Sequence, residues 1–193
     1  MNNLSKYLLL STCLISSFQI YAENEITITG NVLDSTCTLT ATGATGNTDT
    51  ENGDFTLALP TITSSDFINQ TSSEETITFR LTQGGSSNQS CDALTATTLL
   101  QGMTLSSNFV NQEESGVLRN IKFSGDENKR VDIQVLTNNN TLVNFNVPDQ
   151  EKSSVQNANS DPYLTYKVRY FKVGDSVEAQ EVETKMTYTF SYN

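Results

Sequence analysis

Most of this chain is written in short β-prone runs, many alternating apolar with polar residues and separated by Gly, Asn, Asp and Ser, and that pattern limits its fold more than any other feature. The last of them, TKMTYTFSYN, shows the logic. Met186, Tyr188, Phe190 and Tyr192 alternate with Lys185, Thr187, Thr189 and Ser191. In an extended strand a period of two puts the first set on one face and the second on the other, so this tail needs both a pairing partner and a cover. The other candidate strands are Glu25 to Asp34, Cys37 to Ala41, Asp54 to Pro60, Glu75 to Gln83, Thr97 to Ser107, Lys129 to Thr137, Thr141 to Val147 and Tyr163 to Val173. Helical periodicity is nearly absent. TNNNT, at Thr137 to Thr141, is rich in the residue that tolerates positive φ and predicts a hairpin turn. Regularly spaced strands with such turns predict an all-β sandwich or barrel. The polar stretches Gly43 to Gly53 and Gln83 to Ser90 read as loops, and no internal repeat is found.

The N-terminus, MNNLSKYLLLSTCLISSFQIYAEN, carries one basic residue, Lys6, then an apolar run from Tyr7 to Ile20, then Ala22 before acidic residues. The run is too short and too rich in Ser and Thr for a good membrane span, and the pattern predicts a secretory signal peptide over residues 1–22. LSTC, ending at Cys13, fits a lipid-attachment site less well, because the apolar run continues beyond it. Removing residues 1–22 from 193 leaves 171, a size that suits one domain, 23–193, with a real core and no membrane span. Cys37 and Cys91 are the cysteines left, and in an exported chain a disulfide is their natural reading. A net charge of −11 leaves no basic stripe for nucleic acid and disfavours anionic membrane surfaces. GDENKR, at Gly125 to Arg130, reads as a solvated turn.

Chemical motifs are scarce. With no His, the Ser-His-Asp and Cys-His arrangements are excluded, and zinc clusters cannot be assembled. The pairs Glu74 with Glu75 and Glu181 with Glu183 read as solvated charge rather than as an acid and base. DTENGD, at Asp49 to Asp54, lacks the ligand spacing of a calcium loop, and GATG, at Gly43 to Gly46, is followed by no helix that would cradle phosphate. NQT, at Asn69, matters only in a cell that glycosylates it. No catalytic, cofactor or metal site is predicted, and the chain is not expected to be an enzyme.

After residue 22 the chain begins ENEITITGNVLDSTC, with Ile26, Ile28, Gly30 and Val32 on one face of a second strand that has no obvious place. The chain resembles the pilin subunits of chaperone-usher (type 1-like) fimbriae. The resemblance spans the mature chain and rests on ITITGNV before the first cysteine, FTLALP after it, TFRL leading to the second cysteine, VDIQVLTNNNTLVNFN, YKVRYFKVG, and the tail with Tyr192 penultimate. It implies an incomplete immunoglobulin-like β-sandwich that lacks its last strand and accepts one from another protein by donor-strand exchange. A periplasmic chaperone lends the strand first. At the outer-membrane usher the N-terminal extension of a neighbouring pilin, residues 23–33, then replaces it, and the repeated head-to-tail contact builds an extracellular fibre that supports adhesion. By resemblance Ile26, Ile28, Gly30 and Val32 enter the groove, and Tyr188, Phe190 and Tyr192 belong to the strand that flanks it and faces the chaperone.

Two departures from the family stand out. Gln180 occupies a position where the family often has glycine, and GGSSNQS lengthens the approach to Cys91. The pattern alone also allows Ile26, Ile28 and Val32 to pair with the tail inside one finished sandwich; the resemblance favours exchange between molecules. Three function classes are in view: a polymerising structural subunit, a single-domain tip adhesin or adaptor subunit binding a host carbohydrate or protein, and a secreted enzyme. The leading donor-like strand favours the first, the lack of Trp weakens a sugar-stacking site, and the lack of catalytic groups places the enzyme last.

Overall fold

The alternation in Glu75–Gln83 and Tyr163–Lys172 builds the centre of the molecule. In this computed structural model, which describes residues 37–43, 47–49, 55–72, 74–83, 90–145 and 152–190, these become strands β4 (Glu75–Gln83) and β8 (Tyr163–Lys172). Ile77, Phe79 and Leu81 of β4 and Leu164, Tyr166 and Val168 of β8 are buried, while the residues between them are only partly covered. Aromatic and branched side chains on a pleated, half-buried surface favour this geometry. A five-stranded antiparallel sheet forms in the order β1-β4-β8-β7-β6, with β1 at Cys37–Thr42, β6 at Val117–Leu118 and β7 at Val131–Thr137. The register sets Leu39 opposite Leu81, Ala41 opposite Phe79, Phe79 opposite Leu164 and Ile77 opposite Tyr166. A one-residue slip would turn all of these outward.

A second, two-stranded sheet pairs β5 (Met103–Ser106) antiparallel with the tail strand β9 (Thr187–Phe190), and a small hairpin joins β2 (Asn47–Asp49) to β3 (Phe55–Leu57). Met103 and Leu105 enter the same buried cluster as Phe79, Tyr166 and Val135, so both sheets share one core. Phe79 meets Tyr166 edge-on, with ring centroids 6.1 Å apart, an arrangement aromatic rings prefer.

The sequence reading holds for β1, β4, β7, β8 and the Thr137–Thr141 turn. In that turn Thr137 N donates to Thr141 O and Asn140 takes φ 65°. The disulfide forms between Cys37 and Cys91, with Cα atoms 6.0 Å apart. The reading fails at Thr97 to Ser107, where helix α1 (Ala93–Gln101) precedes β5. The side-chain Oδ1 of Asp92 accepts a hydrogen bond from Thr95 N at 2.9 Å and starts the helix. Thr95, Ala96, Leu99 and Leu100 then fall on one buried face, a helical spacing hidden by the β-branched Thr95, Thr97 and Thr98. At Thr141 to Val147 no strand forms among the described residues; Leu142 makes a single bridge to Leu136 instead. Gly116, at φ +71°, lets its loop pass against β7, where a Cβ would lie 3.1 Å from Val135 O.

Candidate functional site

β9 is the described strand on which the expected site depends. β1 ends the five-stranded sheet, and among the described residues β9 has a ladder partner on one side only, β5. Period-two alternation holds on β9: Thr187 and Thr189 are exposed, while Met186 just before the strand and Tyr188 within it are half-buried against the core. The Tyr188 ring lies 6.3 Å from that of Phe79, tilted by 56°, so β9 reaches across to the larger sheet. On the outer face the hydroxyls of Thr104 and Thr189, directly opposite in register, are 2.7 Å apart. From β1, Cys37 and Leu39 pack on the same core and are likewise half-buried. Cys37, Leu39, Met186 and Tyr188 thus pack on the core while staying only partly covered.

Phe190 holds its place in the ladder opposite Met103. Ile26, Ile28, Gly30, Val32 and Tyr192 lie outside the described residues, as do residues 1–22.

One cluster was not foreseen. GDENKR is not wholly a solvated turn. Glu127–Lys129 forms one turn of 3₁₀ helix, and Arg130 is buried at 5% exposure, with its Nε 2.6 Å from Oδ1 of Asp132 and a further contact to Glu127. Asp132, at 0% exposure, also accepts from Arg130 Nη2 at 3.1 Å, Asn111 Nδ2 at 3.1 Å and Asn120 N at 2.9 Å. A carboxylate can be buried on these terms, paired and fully hydrogen-bonded. The cause is topological: β7 is buried on both faces, so alternation that would carry Asp132 to solvent carries it under the 111–120 segment. The sequence held no signal for this, since polar residues at alternate positions of a strand ordinarily mark its solvated face.

Elsewhere the polar groups are structural. Glu74 bridges Lys167 and Arg169, each at 3.1 Å. The Ser90 hydroxyl and, less strongly, the Arg80 guanidinium hold the Asp161 carboxyl below its ordinary 3.8, against the opposing effect of burial. An open depression of about 810 Å³ lined by residues of the 60–72 loop contains one carboxylate, Asp66, and that is engaged by the Thr63 amide and hydroxyl. No group of three potential metal ligands occurs among the described residues.

A crystal structure of the P pilus rod subunit PapA superposes on this chain with a TM-score of 0.51 at 16% identity, covering 89% of this chain and 100% of the other. The fold is the immunoglobulin-like pilin fold. A solved structure of a chaperone-usher pilus is also similar, with a TM-score of 0.48 at 14% identity over 90% of this chain and 97% of the other. No family model and no curated protein matches this chain. No helix among the described residues is long and apolar enough to cross a membrane.

Proposed function

We propose that this chain is a structural subunit of a chaperone-usher pilus that polymerises by donor-strand complementation. Its fold likeness to a pilus rod subunit and the half-buried residues along β1 and β9 support that reading. In it, a β-segment from another molecule adds beside β9: backbone hydrogen bonds supply affinity and alternate side chains supply specificity. Ile26, Ile28, Gly30 and Val32 of a neighbouring pilin form the inserted face, and Tyr188, Phe190 and Tyr192 form the accepting strand. A periplasmic chaperone occupies the position first, the outer-membrane usher exchanges it, and the product is an extracellular fimbrium that supports adhesion. The role is structural, without catalysis.

The test uses residues 23–193 beside a form lacking 23–33, with and without synthetic ENEITITGNVL. The longer form is expected to build SDS-resistant multimers. The shorter one should gain about 2.7 kcal/mol from peptide at 100 times its Kd, a rise of roughly 5–11 °C in Tm. A shorter form that is already monomeric, equally stable and indifferent to peptide refutes the proposal.

A further inference from the structure

From the end of β8 at Lys172 to the start of β9 at Thr187 the chain makes no sheet ladder among the described residues. It is nevertheless tied down. Gly174 starts the segment where a Cβ would lie 2.1 Å from Asn128 O, and Val173 N donates to Arg130 O at 3.0 Å. The middle is held by two side-chain amides. Asn120, at 1% exposure, donates from Nδ2 to Gln180 Oε1 at 3.2 Å and Glu181 O at 2.8 Å, and its Oδ1 accepts from Lys122 N at 3.0 Å and Glu183 N at 3.1 Å. Gln180 Oε1 also accepts from Val131 N at 2.9 Å, and its Nε2 donates to Lys129 O at 2.9 Å and Glu178 O at 3.1 Å. Both amides therefore use two donors and two acceptors, the full capacity of the group. Ile121 N donates to Glu183 O at 2.8 Å, and the Ser107 hydroxyl donates to Lys185 O, so the attachment runs up to the residue before Met186.

We infer that Asn120 and Gln180 form a latch that positions β9 on β5, so that the edge receiving a partner strand is in register before the partner arrives. A four-residue strand with one described neighbour has little ladder of its own; its placement depends on where the preceding segment is pinned. The sheet centre, β4 and β8, does not share these bonds, so loss of the latch frees β9 without opening the core. Asn120 and Gln180 are positioning residues, and what they position matters to assembly only on the reading given above.

Residue-resolved amide exchange on the mature full chain tests this. Asn120→Ala and Gln180→Leu are expected to speed exchange at Thr187–Phe190 at least about tenfold while β4 and β8 stay within about twofold. Should those variants not fold, Gln180→Glu, which keeps the acceptor toward Val131 and loses both donors, is expected to show the same selectivity with a smaller rise. Unchanged exchange, or a uniform rise across all strands, overturns the latch. Separately, ENEITITGNVL added to the wild-type chain lacking 23–33 should slow exchange at Thr187–Phe190; its failure counts against strand addition and leaves the latch standing.

Discussion

Replacing Asp132 by Leu tests the buried ion pair most directly. The carboxylate has 0% exposure and four hydrogen bonds, and its removal leaves the Arg130 guanidinium, at 6% side-chain exposure, facing only Glu127. It also orphans Asn111 Nδ2 and Asn120 N. Breaking one side of a buried pair costs about 3–5 kcal/mol, and each orphaned donor is worth about 1–3 kcal/mol on its own. These overlap, so about 4 kcal/mol is the expected total, against a stability of about 5–15 kcal/mol for a domain. In Tm that is roughly 8–16 °C for a chain of this size. Arg130→Met together with Asp132→Leu removes the stranded charge and should cost less than Asp132→Leu alone, a sub-additive cycle. Urea unfolding of oxidised residues 23–193, followed by far-UV circular dichroism at fixed pH, gives the energies, with the m-value unchanged. A cost below about 1 kcal/mol for Asp132→Leu, or full additivity in the double variant, refutes the reasoning.

Reduction of Cys37–Cys91, or Cys91→Ser, should lower stability by about 4 kcal/mol in the chain-entropy model, measured by urea midpoints with and without reductant. Asp92→Ala removes the α1 cap and should cost about 1 kcal/mol, read as a small loss in Tm with the sheet unchanged. Because the folded-state pKa of Asp161 is depressed, its contribution is present above the ordinary value of 3.8 and is lost as pH falls below it. Asp161→Asn should therefore lower neutral-pH stability by a small amount, since the ion pair is partly exposed and screened, and flatten the acid limb below about pH 4 by that same amount.

β4 and β8 were legible because each buries one face, and β9 because it half-buries Met186 and Tyr188 between exposed threonines; such a strand writes its environment into the sequence with period two. The disulfide was legible from the cysteine count and the expectation of a signal peptide. Helix α1 was not, because its face is made from Thr95, Ala96, Leu99 and Leu100, and the threonines mimic strand propensity; Asp92 followed by Gly102 was the missed boundary signal. The segment at Thr141 to Val147 alternates as well as a strand does, yet β6 already takes Ile133 and Gln134 on that edge of β7, so the segment meets only Val135, Leu136 and Thr137 and stops at a single bridge. On β9, the alternation that turns Met186 and Tyr188 toward the core could be read directly. The Asn111, Asn120, Asp132 and Gln180 contacts could not, since they join four segments far apart in sequence and polar residues carry no periodic signature of burial.

The covalent link from Cys37 to Cys91 spans 54 positions and encloses β1 from its first residue, β2, β3 and the whole of β4. Stretched from its two ends, the molecule cannot pay out that stretch of polymer while the bond is intact. Contour length of about 190 Å, at roughly 3.5 Å per residue, is withheld from extension. Under tension the yielding parts are those outside the loop, among them β9 and its approach, and only a reducing medium would release the rest.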